Sequence, residues 1–317
     1  MWIPGQSEVN RDYALLCASL WDADAAILEH LGDFGNSVYS FYIAGEKVIL
    51  RLTDPKDRSQ PVNEAELDFL LHLHRSGVQA NIPITSLNRN FVETVIIEDI
   101  PLLASVFTYA PGVQVDQNSI YWQQAFFKAW GKTLAQIHQA ASTYEPAVEG
   151  KRWHWIEEDL IANARHYIPK NDTPSLQELD TLIERLHRLP INRETYGLIH
   201  ADLGARNFHY DPQIGITVFD FGNCCYHWFI SDIAIALSTL RHYPKSERDQ
   251  YHSWIIAGYE AISALEPDLH SQLSLFIRLR ILYVYLDRLM LFGAAPTESQ
   301  KETLFTLRQK VHEGFEW

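Results

Sequence analysis

Val9, Tyr13, Leu16, Leu20, Ile27 and Leu28 recur at mostly helical spacings, so the pattern predicts one or two short amphipathic helices over residues 9 to 30. From Val38 the period changes. "VYSFYIA" and "VILRLT" are β-branched and aromatic runs separated by "GEK", which predicts a hairpin around a tight glycine turn. "EAELDFLLHLHRSG" puts Leu67, Leu70 and Leu71 on one stripe and ends at Gly77, the signature of a helix and its stop. Further strands are expected near "IPITSLN", "VETVIIEDI" and "LLASVFTYA". Pro111 and Gly112 then break the pattern, which marks a domain boundary between residues 1–109 and 110–317. Beyond it helical patterning dominates: Gln123 to His138, Trp153 to Tyr167, Ser175 to Leu189, then 231–242, 250–264, 270–292 and 298–313. A strand-and-turn region, "YGLIHADLGARNFHYD" and "GITVFDFG", interrupts it. In "RWHWIEEDL" His154 and Glu157 stand three apart with no second His at helical spacing, so this stretch reads as a helix start with packed indoles rather than a zinc site.

Composition narrows the class. In 317 residues, 47% are hydrophobic, enough for a full core. The formal net charge of -14 repels a phosphate backbone, which argues against nucleic acid as a partner. Cys17, Cys224 and Cys225 form neither a disulfide framework nor a C-x-x-C motif. Reduced thiols in the cytoplasm fit them. The amino-terminal stretch lacks a basic segment followed by an apolar one, and the later apolar stretches are broken by charge at Asp232, Arg280 and Asp287, so neither export nor a membrane span is expected.

The chemistry concentrates in "HADLGARN" and the "DFG" that follows. Phosphoryl transfer needs an acceptor hydroxyl held in line and a divalent metal to neutralise phosphate oxygens. Asp202 can take or aim the hydroxyl proton. Asn207 offers a neutral amide oxygen to a metal, and Asp220 supplies the hard anionic ligand that Mg²⁺ prefers. The alternative is that His200, Asp202 and Asn207 form a polar turn and that Asp220 caps a helix. The order H-x-D-L-x-x-x-N then D-F-G, downstream of a strand-rich half, favours catalysis.

On these motifs the chain resembles the aminoglycoside phosphotransferase and choline kinase group of protein-kinase-like enzymes, which includes type II homoserine kinases. The likeness runs from about Leu31 to Asp232. It implies an α+β, two-lobed protein-kinase-like fold, with a small antiparallel-sheet lobe that binds nucleotide and a larger, mainly helical lobe that binds the acceptor. It further implies ATP and Mg²⁺ as cofactors, Asp202 as catalytic base, Asn207 and Asp220 as metal ligands, and His200 and Asp232 as supports of the loop. Gly32 and Gly35 match the phosphate-covering hairpin, and Tyr109 lies in the hinge segment "FTYAPG" that would meet adenine. Arg51 stands where the family's nucleotide lysine is expected. An arginine fork is not equivalent to an ammonium, and Glu66 is its best candidate partner.

The absence of an A-P-E signature and the short distance from Gly222 to Asp232 favour the small-molecule branch, with a hydroxyl of a small molecule as acceptor. The alternatives are a protein Ser/Thr kinase of the same fold or a nucleotide-binding module without turnover. The acceptor pocket is expected among the carboxy-terminal helices, where Trp254, Tyr259, Tyr283 and Tyr285 could form an aromatic cage. Asp287 or Glu260 could meet an amine there, and Arg278 with Arg280 could meet a carboxylate.

Overall fold

A computed structural model describes residues 11–33, 35–147 and 152–314, and the chain divides into two compact units. The first comprises the described residues up to Val113 together with 145–147, Arg152 and Thr217–Gly222. Helix α1 (Arg11–Ala18) and a short 3-10 turn (Ser19–Trp21) lead into a six-stranded antiparallel sheet. Its strands are β1 (Asp24–Asp33), β2 (Ser37–Ile43), β3 (Glu46–Thr53), β4 (Pro83–Ile84), β5 (Glu93–Ile97) and β6 (Ile100–Thr108), in the order β1-β2-β3-β6-β4 with β5 also on β6. The β2–β3 turn is the two residues Ala44 and Gly45, both at positive φ (50° and 85°), the handedness that tight hairpins favour. Ala14, Cys17 and Trp21 pack with Phe41, Leu50, Leu52 and Val106 to form the core of this unit.

The helix expected over residues 9 to 30 is half right. Val9 lies outside the described residues, residues 11–18 are helical, and Ile27 and Leu28 lie in a strand. Leu28 is buried while Ile27 and Leu31 are exposed, the alternation of a strand rather than the stripe of a helix. As a sheet edge it pairs only with β2, His30 opposite Tyr39 and Gly32 opposite Val38.

Helix α2 (Gln60–Arg75) begins with Pro61 in its first turn and ends as the glycine stop requires. Gly77, at φ 82°, donates its N–H to the His74 carbonyl, and Val78 donates to Leu73. This is the Schellman pattern, which satisfies carbonyls that the helix end leaves open.

The second unit holds α3 (Gln124–Ser142), the single turns α4 (Asp159–Ala162) and α5 (Ala164–Tyr167), and α6 (Thr173–His187). Strand β7 (Tyr196–Ile199) follows, then a hairpin of β8 (Phe208–Asp211) and β9 (Gly215–Val218), within which the chain leaves this unit. Strand β10 (Cys225–Trp228) pairs antiparallel with β7, Cys225 opposite Ile199. Five helices close the unit: α7 (Ile230–Ser238), α8 (Lys245–Glu260), α9 (Pro267–His270), α10 (Leu273–Phe292) and α11 (Glu298–Glu313). None of the described helices is long and apolar enough to cross a membrane.

Residues 153–158 do not form the expected helix. Tyr226 donates its N–H to the Trp153 carbonyl and Trp155 donates to the Tyr226 carbonyl, each at 2.9 Å, so strand β10 meets the backbone needs of this segment. The helical turn begins only at Asp159, capped by Glu158.

Helices α3 and α8 cross backbone against backbone. A Cβ built on Gly131 would sit 1.8 Å from the Ile255 carbonyl oxygen, and one on Gly258 would sit 2.1 Å from that of Lys128. Only glycine fits either position, and the crossing fixes α3, which carries His138 toward the catalytic loop.

Candidate active site

In the first unit Arg51, on β3, points its guanidinium at Glu66 on α2. The two nitrogens Nη1 and Nη2 donate to Oε1 at 2.7 Å and Oε2 at 3.0 Å, and Nη2 also donates to Asn63 Oδ1 at 3.2 Å. The pair is almost wholly buried, with side chains 8% and 1% exposed. Burial pushes the Glu66 carboxyl up, but Arg51, Arg152 and Arg58 together pull it below its ordinary value, so it stays ionised. Arg51 therefore spends its fork on the helix, where a lysine would have one ammonium to share. Glu64 is engaged by Gln60 instead.

The same unit holds the "DFG" turn. Val218 and Asn81 exchange backbone bonds with Gln79 and Val218, which anchors the end of β9. Asp220 follows at φ 64°, a left-handed conformation that costs a non-glycine residue about 1 kcal/mol or more. Phe221 packs edge-on against Phe69 of α2. Arg152 binds the Gly222 carbonyl at 2.7 Å and the Val62 carbonyl at 3.3 Å, tying the turn to α2, and Arg58 lies so near Gly222 that a Cβ there would meet its Nη1 at 2.0 Å. These Arg152 bonds leave no sequence signal, because their acceptors are backbone carbonyls. Gly32 (φ 151°) lies near the end of β1 and Gly35 (φ 72°) in the turn after it. Tyr109 follows β6, 39% exposed, with the Lys47 ammonium 5.1 Å from its ring centre.

In the second unit the loop after β7 is held from below by Asp232. This fully buried carboxylate accepts the backbone N–H of His200 at 2.9 Å and of Ala201 at 2.8 Å, and its Oδ2 lies 3.4 Å from His138 Nε2. His138 reaches Tyr259 through its other nitrogen at 3.0 Å. Burial alone would raise the Asp232 carboxyl, but the His138 hydrogen bond and the His138 and His200 charges hold it below the ordinary carboxylate range. His200, also fully buried, accepts the Asp202 N–H on Nδ1 at 3.2 Å. Ala201 is forced to φ 65°. The loop is thus strained and pinned at one residue before Asp202.

Asn207 turns its amide nitrogen to the Asp202 carbonyl at 2.8 Å and to Asp202 Oδ2 at 3.1 Å. The orientation leaves its Oδ1 free of hydrogen bonds among the described residues, a neutral oxygen suited to a hard cation. On the other side Arg280 of α10 donates Nη2 to Asp202 Oδ1 at 2.6 Å. Both carboxylate oxygens are therefore held.

Beside this loop opens a cavity of about 70 Å³. Trp153, Trp155, Ile161, Ile235 and Leu279 form its apolar walls, and Glu158, His227, Arg280 and Tyr283 its polar points. The Tyr283 hydroxyl donates to Glu158 Oε1 at 3.2 Å, and Glu158 Oε2 accepts the N–H groups of Leu160 and Ile161. Burial, with the Asp159 charge adding to it, raises the Glu158 carboxyl despite these hydrogen bonds. Burial drives His227 the other way, down to about 3, so it is neutral at ordinary pH.

Several expected acceptor contacts are otherwise employed. Arg278 forms a two-pronged bond with Glu178, at 2.8 and 2.5 Å, which removes it as a carboxylate ligand. The proposed aromatic cage does not assemble: Trp254 packs on Phe127 and Tyr251, Tyr259 serves His138, and Tyr285 donates to the buried Asp172. Trp153, Trp155 and Glu158 were the missed residues, hidden in a segment whose spacing imitates a helix. His227, two residues beyond the adjacent cysteines, lines the cavity as well.

The chain is similar to known proteins over most of its length. The model of the phosphotransferase enzyme family matches residues 26–267. Over 301 residues the chain is 31% identical to an amicoumacin kinase from Bacillus subtilis (strain 168), covering 90% of this chain and 86% of that one. A solved amicoumacin kinase in complex with AMP-PNP, Ca²⁺ and Ami superposes with a TM-score of 0.89 at 28% identity, over 96% of this chain and 94% of the other. A microcompartment-associated aminopropanol kinase shares the fold, with a TM-score of 0.79 at 22% identity over 95% of each chain. With a family match over most of its length and a loop that holds an aspartate by both oxygens beside a small-molecule cavity, the chain belongs to the phosphotransferase enzyme family and is a small-molecule kinase.

Proposed function

We propose that the protein transfers the γ-phosphoryl group of ATP, with a divalent metal, to a hydroxyl of a small amine-bearing acceptor. Asp202 takes the role of base. As the bond from the acceptor oxygen to phosphorus forms and the bond to ADP breaks, the hydroxyl proton passes to an Asp202 carboxylate oxygen. A divalent metal, when bound, would neutralise charge on the phosphate oxygens. Asp220, in the first unit, and the Oδ1 of Asn207, in the second, are hard oxygen donors of the kind such a metal takes, and we assign both to it. Glu66 holds Arg51 for the nucleotide phosphates, Gly32 and Gly35 let backbone cover them, and the segment at Tyr109 meets adenine. His200 and Asp232 brace the loop.

The observation that carries the acceptor assignment is Glu158, a carboxylate fixed by two backbone N–H groups and Tyr283 in the same cavity that Arg280 lines. An ionised carboxylate in a cavity also lined by Trp153 and Trp155 suits an ammonium group. The amicoumacin kinases to which the chain is similar make amicoumacin the first acceptor to try. The test is Mg²⁺-dependent ADP release across amicoumacin, aminoglycosides, ethanolamine, 1-amino-2-propanol, homoserine and simple sugars. Amine-bearing acceptors should stimulate release and lose their advantage over neutral ones in Glu158→Gln. Equal stimulation by neutral sugars would remove the amine assignment.

A further inference from the structure

The position of Arg280 asks for an explanation that acceptance of a proton does not supply. A cation bonded to a base makes that base weaker, yet Arg280 makes a short charge-assisted hydrogen bond, 2.6 Å, to Asp202 Oδ1. What the base gains is orientation. The last torsion of an aspartate is soft, a broad two-fold well rather than a staggered one. Asn207 fixes Oδ2 at 3.1 Å, and Arg280 fixes Oδ1. With both ends held the carboxylate cannot rotate, and a carboxylate still keeps lone pairs beyond the two in use.

The guanidinium is itself located from several sides. Its centre lies 5.3 Å from the Tyr283 ring, and Tyr283 is fixed by Glu158. Arg241, held by the Ser238 carbonyl at 2.8 Å, brings like charge near it: after burial itself, Arg280 depresses the half-buried Arg241, and Arg288 adds to this. That repulsion leaves Asp202 as the favourable place for the Arg280 charge. Its Nε is buried and has no hydrogen bond among the described residues, so the ion pair through Nη2 is what holds the fork.

We propose that Arg280 is a positioning residue for catalysis, a clamp supplied by α10 that fixes the Asp202 carboxylate in the plane from which it meets the acceptor hydroxyl. The proposal rests on the reading of Asp202 as the base. A displacement of about 1 Å at a reacting group can cost on the order of a hundredfold in rate, so the clamp should act on kcat and spare nucleotide affinity.

Chemical rescue tests it. Hydrolysis of Mg-ATP, with water as acceptor, is measured in the wild type, Arg280→Ala, Arg280→Lys and Asp202→Ala, along with the best acceptor of the panel above. Arg280→Ala should lower kcat roughly ten- to a hundredfold with KM for ATP within about twofold, and guanidinium ion at tens of millimolar should restore part of it. The same ion should not accelerate the wild type or Asp202→Ala. Undiminished kcat in Arg280→Ala overturns the clamp, as does a loss that guanidinium leaves unchanged in a variant with wild-type thermal midpoint. Should Arg280→Ala fail to fold, Arg280→Lys decides: it keeps the charge and loses the fork, and wild-type kcat in it overturns the proposal. Turnover retained by Asp202→Ala would instead overturn the reading of the base.

Discussion

Two arginine–carboxylate pairs serve the two units in opposite ways. Arg51 and Glu66 are 8% and 1% exposed and joined by two parallel bonds, with Asn63 as a third partner. Arg280 and Asp202 are 18% and 34% exposed and joined by one. A buried pair cannot be broken without stranding a charge, whereas a partly exposed carboxylate held by single bonds keeps lone pairs for a further partner. The first arrangement is suited to hold a strand and a helix in register. The second is suited to a residue that must meet something else during each turnover.

The contrast can be broken most strongly at Asp202. Asp202→Ala should lower kcat by about a hundred- to ten-thousandfold, the range of general-base contributions, while fluorescent-nucleotide titration shows ATP affinity little changed. Glu66→Gln should do the reverse. By leaving Arg51 buried without its counter-charge it should cost about 3–5 kcal/mol in urea unfolding, the usual penalty for breaking a buried pair, with the nucleotide site damaged as a consequence. If Glu66→Gln unfolds at the wild-type urea midpoint, the buried pair is not the structural element described above. Arg51→Lys keeps the charge but not the fork. It should lose the Asn63 bond for about 1 kcal/mol of stability and leave ATP affinity within a few-fold of wild type.

The smallest effect expected is a pH dependence at Glu158. Its carboxyl is raised by burial, so the folded protein holds this proton to higher pH than the unfolded chain does. Stability should therefore decline as pH rises from the ordinary carboxylate range through the raised value, and Glu158→Gln should flatten that slope. The same ionisation creates the negative charge an amine needs. KM for an amine-bearing acceptor should fall with rising pH across this window, and that dependence should be absent in Glu158→Gln.

How much could be read from the chain follows from where partners lie in sequence. Asp202 and Asn207 share one loop, so their spacing encodes the contact. Glu66 could be paired with Arg51 because a strand and the next helix meet in the hairpin-and-helix order the pattern announced. Asp232 could be assigned through the family resemblance, and its bonds to the His200 and Ala201 N–H groups give that support a structural form. Arg280 was out of reach: it lies 78 positions from Asp202, on a helix whose apolar stripe reads as core throughout. The same helix also misled. Arg278 and Arg280, expected above to meet a carboxylate together, stand two apart, about 200° around an α-helix, and they bond Glu178 and Asp202 respectively. Residues 153–158 misled for a different reason. Trp153 and Trp155 stand two apart, as in a strand, but run directly into the helical spacing of Leu160 and Ile161, which hid the strand-edge segment.

The crossing of α3 and α8 at Gly131 and Gly258 bears on how this protein can change over generations. Most core positions can drift, trading one apolar side chain for another as neighbours adjust. These two have no smaller residue to retreat to and face carbonyl oxygens rather than pliable side chains. Since α3 also delivers His138 to Asp232, an insertion of even one methyl at the crossing is felt at the catalytic loop. Acceptor preference can wander through the walls of the cavity, but the route to new specificities has to pass around that pair of glycines.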